Sequence, residues 1–149
     1  MLASVLVAVV VLLASMMIQA IALGLTVRFV AWLIKHGYAG PSYWHNITVM
    51  MGVMSILMTA LLAQVAVWAG TFVLTGALPQ FGTAFYHSAV NFTTLGYGDI
   101  VISPPWQLLG PLEAANGVLM FGVSASAMFA VTNRLLELRL KGQHDAASP

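Results

Sequence analysis

Thr93-Thr94-Leu95-Gly96-Tyr97-Gly98-Asp99 is the stretch on which the reading of this chain turns. Gly96 and Gly98 can adopt φ > 0 at no steric cost, which lets backbone carbonyls turn in directions that ordinary residues forbid. The stretch lies inside a segment, 79–105, that is too short for two membrane crossings yet largely apolar, with Phe81, Ala84, Phe85, Ala89, Val90 and Phe92. Thr83 is a suitable N-cap for a short helix over 83–92. Such a helix cannot cross a bilayer, which takes about 20 apolar residues. It reads as a re-entrant half-helix, tolerated only where protein or a water-filled cavity surrounds it.

On either side lie long apolar runs. One covers 47–78 and another about 110–133, broken only by Glu113; a third, 2–27, opens the chain and extends as helix toward His36. Of the 149 residues, 60% are hydrophobic and 6% charged, with a mean hydropathy of +0.94. Soluble domains carry about 25% charged residues, so this composition describes an all-α membrane protein of three transmembrane helices with a re-entrant helix between the last two. The 47–78 run exceeds what a bilayer needs and implies tilt or a protruding end. Gly76, Pro79 and Gly82 mark its end. A cleaved signal peptide is the alternative for the first run. Against it, no basic residue precedes the run, the run outlasts a signal core of about 7–15 residues, and Ala20 has no clear small-x-small site before it.

All five basic residues fall in two places: Arg28 and Lys35 after the first run, and Arg134, Arg139 and Lys141 after the third. Positive charge favours the cytoplasmic side. The expectation is a multi-pass cell-membrane protein with its N-terminus outside, segment 79–105 outside and its C-terminus in the cytoplasm. Trp32, Tyr38, Tyr43 and Trp44 fit an interfacial belt. The domain reading is an extra N-terminal helix over 1–36, a cytoplasmic linker over 37–46 and a second domain over 47–140 that holds the Thr93–Asp99 stretch. Within that domain lie an outer helix, the short helix 83–92, the segment 93–99 and an inner helix over 108–140. A cytoplasmic tail, 141–149, follows.

Together, the half-helix and Thr93–Asp99 resemble the potassium-channel superfamily, whose filter reads T-T-V-G-Y-G-D with variation at the aliphatic position. Thr, Gly, Tyr, Gly and Asp in this pattern arise by chance on the order of once in a million positions at ordinary residue usage. The resemblance covers roughly 47–140; the first helix has no counterpart in the two-helix pore. It implies a selectivity filter of Thr93, Thr94, Leu95, Gly96, Tyr97, Gly98 and Asp99. In it the carbonyls of Thr94, Leu95, Gly96 and Tyr97, with the Thr94 hydroxyl, replace the water shell of K⁺. One filter per chain closes no pore, so the resemblance also implies a homotetramer. Tyr86 and His87 match two aromatic positions that brace the filter in relatives. Tyr86 is expected to donate to Asp99, and His87 to bond the Tyr97 hydroxyl. Histidine departs from the usual aromatic and makes the brace responsive to acid, unless the ring is simply packed and neutral. Val90 stands where some relatives carry a glutamate.

Gly117 and Gly122 are candidates for a gating hinge, with close helix packing the equal alternative. Glu113, near the outer end of the third run, is a functional candidate as an ionisable group within a span, but is expected to snorkel to the interface; Asn116 faces a neighbouring helix or water. No helix carries regularly spaced arginines, which argues against a voltage sensor, and the tail is too short for a sensing domain. His36, His45, His87 and His144 are scattered without metal spacing or a paired carboxylate, which disfavours an enzyme. No cofactor is implied beyond K⁺ as permeant ligand, the partners are K⁺, lipid and further copies of the chain, and a net charge of +1 leaves no footprint for nucleic acid. The functional expectation is a potassium-selective channel. A non-selective cation channel of the same architecture and a non-conducting accessory subunit are the alternatives.

Overall fold

The computed structural model describes residues 2–38 and 43–147, with side chains through Lys141. Among the described residues the chain is helical, without strands: α1 (Leu2–Lys35), α2 (Tyr43–Leu74), α3 (Phe81–Phe92) and α4 (Leu109–Ala147). α1, α2 and the Leu109–Lys141 part of α4 are long and apolar enough to cross a membrane. Their exposed side chains include Leu6, Val10, Leu13, Met17, Leu62 and Phe129. Apolar surface of this extent requires apolar surroundings.

Helix ends differ from the apolar runs for a physical reason. Hydropathy marks the part of a helix that lipid can cover, whereas the helix itself ends only where backbone bonding stops. α2 therefore begins at Tyr43 and takes in His45 and Asn46, which the sequence assigned to the linker; linker residues 39–42 lie outside the described set. α4 runs past position 140 to Ala147, because the residues after Leu140 include good helix formers such as Lys141, Gln143 and Ala146. The side chain of His144 lies outside the described set. α3 starts at Phe81, earlier than position 83, with Gln80 as N-cap in extended backbone and no side-chain capping bond. The first helical bond runs from the Ala84 amide to the Gln80 carbonyl, 2.9 Å, so Thr83 sits inside the first turn and does not cap it.

Two compact units divide the chain. The first joins the residues up to Gln19 with Ala60–Gly122. Its core is Trp68, Phe72, Phe92 and Leu109 with Ala8, Val11, Ala84 and Met120, so the beginning of α1 is built into the same core as α3. The Gln64 amide donates to Gln19 Oε1 at 2.9 Å in the interior. The Ser4 hydroxyl donates to the Pro105 carbonyl at 2.5 Å, tying α1 to the loop that follows the 93–99 segment.

The second unit joins Ala20–Thr59 with the residues from Val123 onward. Val30, Val49, Val53, Leu57, Val131 and Leu135 form its core. Gly52 leaves room for the Phe29 ring, whose edge lies 2.6 Å from where a Cβ would stand. The Arg139 guanidinium lies 5.9 Å from the centre of the Tyr43 ring, a cation–π arrangement. All five basic residues of the chain belong to this unit.

Candidate functional site

α3 ends in a Schellman motif. Thr93 is the C-cap, and the next residue, Thr94, is left-handed at φ 60°. The Thr94 amide donates to the Asn91 carbonyl at 2.8 Å and the Leu95 amide to the Val90 carbonyl at 3.0 Å. This is the bonding that normally places glycine at the left-handed position. A β-branched residue there is strained. The Gly96 amide adds a longer bond to Val90, 3.3 Å. The Thr93 hydroxyl donates to the Ala89 carbonyl at 2.7 Å, and the Thr94 hydroxyl donates to the Thr93 carbonyl at 2.6 Å.

Beyond the helix the left-handed residues recur at every second position: Thr94 at φ 60°, Gly96 at 58° and Gly98 at 75°, with Leu95 and Tyr97 between them not left-handed. Alternation of this kind rotates successive peptide planes so that their carbonyls turn toward one side rather than alternating across an extended chain. Leu95 is 56% and Tyr97 66% exposed, so the segment has few contacts within its own chain.

Asp99 closes the segment. The Tyr86 hydroxyl donates to Asp99 Oδ2 at 2.9 Å, and the Ile100 amide donates to Asp99 Oδ1 at 3.1 Å. The bond to Asp99 raises the Tyr86 phenol above its ordinary value, which keeps it a neutral donor. His87 is placed otherwise than the sequence suggested. Its Nε2 meets the Asn91 amide nitrogen at 2.8 Å, and its ring stands edge-on to Phe72 at 5.0 Å; neither contact is with Tyr97. Burial pushes the His87 imidazole below its usual range, with the Asp99 charge opposing. A neutral ring can accept the Asn91 N–H at Nε2, whereas a protonated one would bring two donors together.

Behind the segment, α4 lies against α3 along one stripe: Gly110, Glu113 and Gly117. At Gly110 a Cβ would come within 3.2 Å of the Asn91 amide nitrogen. At Gly117 it would overlap the Phe92 carbonyl, falling 2.8 Å from the carbonyl carbon. Gly117 is thus where α4 passes directly over the end of α3. Gly122 has nothing within 4 Å of such a Cβ.

Glu113 does not snorkel. It is fully buried, and its Oε1 bonds Ser88 Oγ on α3. Ser88 Oγ also bonds the Val65 carbonyl of α2 at 2.8 Å. Asn116, one turn further, is buried with both amide atoms unpartnered. Ser88, Asn91 and Gly110 went unmarked in the sequence. The signal that finds Gly110 is the 110, 113, 117 spacing, which places two glycines and an acid on one helix face; no such pattern marks Ser88 or Asn91. Among the described residues, no three histidine, cysteine or acidic side chains gather as a metal would need.

A family model described as an ion channel matches residues 54–134 of the 149. The chain belongs to the ion channel family. The match takes in most of α2, all of α3, the 93–99 segment and α4 to Arg134, the two-helix potassium-channel type of pore domain, and leaves α1 outside. No curated protein and no solved structure matches the chain. With three helices able to cross a bilayer, this ion channel is an integral membrane protein.

Proposed function

We propose that this channel is potassium-selective and conducts as a homotetramer, with Thr93–Asp99 as its filter and the carbonyls of Thr94, Leu95, Gly96 and Tyr97 as the ion's ligands. The observation that carries the reading is the alternation of left-handed backbone at Thr94, Gly96 and Gly98. Carbonyls turned to one side supply oxygens for a dehydrated cation without a fixed charge that would trap it. The exposed Leu95 and Tyr97 support assembly, since a segment with so few contacts of its own needs neighbouring copies to hold it. Four copies around an axis give a closed symmetry. Tyr86 braces the outer end of the filter through Asp99, and His87 acts on it through Asn91 rather than through Tyr97. Arg28 and Lys35 late in α1 and Arg134, Arg139 and Lys141 in α4 favour an orientation with these residues at the cytoplasmic side and the N-terminus and segment 79–105 outside.

Ion flux into liposomes holding only this protein tests the reading, under K⁺ and Na⁺ gradients. K⁺ flux well above Na⁺ flux is expected, abolished in Gly96→Ala, where a side chain is forced onto φ +58°. Equal Na⁺ and K⁺ flux would overturn selectivity and leave a cation channel. A tetramer that passes neither ion would point to an accessory subunit.

A further inference from the structure

Ser88 Oγ bonds two oxygens at once, the Val65 carbonyl and Glu113 Oε1. A serine hydroxyl has one proton, and a carbonyl has none to give. If that proton goes to Glu113, Ser88 Oγ and the Val65 carbonyl face each other at 2.8 Å with nothing between them. A bare carboxylate would then also lie fully buried, with Oε2 lacking a well-formed hydrogen bond and only the neutral Asn91 amide near enough to offset its charge. Its unit contains no lysine or arginine; the other titratable side chains there are Tyr86, His87, Tyr97 and Asp99. Burying an uncompensated charge is far more costly than burying a neutral polar group.

If instead Ser88 donates to Val65 and Glu113 donates to Ser88, both bonds carry a proton and no charge is buried. We infer that Glu113 is held as the neutral acid and donates to Ser88, so that one carboxyl group pins α3 to α4 and, through Ser88, to α2. Of the three α4 positions against α3, Gly110 and Gly117 act by lacking a side chain, and Glu113 supplies the bond. It is a positioning residue that acts through Ser88, two residues before Val90, whose carbonyl receives the Leu95 and Gly96 amides of the filter. The protonation state stands on the geometry alone; its consequence for permeation rests on the channel reading above.

The chain has two glutamates, Glu113 and Glu137. Glu137 is exposed and paired with Arg134 at 3.1 Å. Infrared spectra of the wild-type protein in bilayers near neutral pH are expected to show a carboxylic-acid C=O band that moves on ¹³C-glutamate labelling. The band should persist in Glu137→Gln and vanish in Glu113→Gln. A labelled wild-type protein with carboxylate bands only would overturn the inference, and this reading needs no variant to fold.

For positioning, amide hydrogen exchange over 83–92 should rise roughly tenfold in Glu113→Ala, since a buried hydrogen-bond partner is lost. It should be unchanged in Glu113→Gln, whose amide still donates to Ser88. Equal exchange in wild type and Glu113→Ala would overturn the positioning role. Neither measurement requires ion flux, so a failure of the channel reading is told apart from a failure of this one. Should the wild type conduct, K⁺ flux in Glu113→Gln is expected within about twofold of it, with Glu113→Ala roughly tenfold lower.

Discussion

α1 and α3 end in the same way and at different cost. At the end of α1 the left-handed residue is Gly37, φ 72°, with the Gly37 amide bonded to Ile34 and the Tyr38 amide to Leu33. At the end of α3 the equivalent residue is Thr94, φ 60°, with the same pair of bonds two helices later in the chain. A Cβ on Gly37 would meet nothing within 4 Å, so that end is open and unstrained. The end of α3 instead carries a β-branched residue in a conformation that disfavours it, with α4 crossing immediately behind at Gly117. Strain kept at one helix end and relieved at another marks the place where a side chain or a backbone direction is being used.

The sharpest way to break the comparison is at Gly117. Gly117→Ala drives a methyl into the Phe92 carbonyl, and backbone cannot yield as a flexible side chain does. A loss of about 3 kcal/mol or more is expected, the upper end of overpacking effects, measured by thermal unfolding in detergent. Gly122→Ala, with open space around it, is the control and should unfold near the wild type. Equal effects would show that α4 does not bear on the end of α3.

Exchanging the two left-handed residues sharpens it further. Gly37→Ala should cost about 1 kcal/mol, the ordinary penalty for a Cβ in left-handed backbone. Thr94→Gly should stabilise by at most about 1 kcal/mol, because relief of that strain is partly offset by the greater freedom of glycine in the unfolded chain. The same Thr94→Gly protein should lose K⁺ over Na⁺ discrimination in liposome flux, since it lacks the hydroxyl. A stabilised variant with unchanged selectivity would show that the strain serves no purpose in ion discrimination.

The smallest expected effect is the acid response of His87. Its folded value lies below the ordinary 6.5 because the ring is buried. The unfolded chain therefore binds the extra proton first, and stability should fall as pH drops from about 6.5 through the folded value. Thermal unfolding between pH 7 and pH 4 should show this slope in the wild type and less of it in His87→Phe. An unchanged slope would place the titrating group elsewhere.

Much of the fold was legible because the bilayer leaves few choices. Long apolar runs must be helices, since only a helix bonds its own backbone in lipid. Gly76 was legible as a mark of where the second run stops, and it is left-handed at φ 72°. The start of α3 was not legible: Thr83 offered a cap by residue type, whereas the chain caps at Gln80 through backbone alone. Glu113 misled because a lone acid near a helix end ordinarily reaches for water, and only the approach of Ser88 gave it a partner.

By itself the sequence determined three bilayer-length helices, a short fourth between the last two, and the alternating glycines of the 93–99 segment. Each is set by local chemistry: side-chain transfer into lipid, or a backbone angle only glycine reaches freely. Tertiary structure alone decided that Thr94 takes the glycine position at the end of α3, that His87 turns to Asn91 and Phe72, and that Gly110, Glu113 and Gly117 form the face on which α3 rests. Those outcomes depend on which groups distant in the chain meet, and contact energies between them outweigh the preferences of single residues.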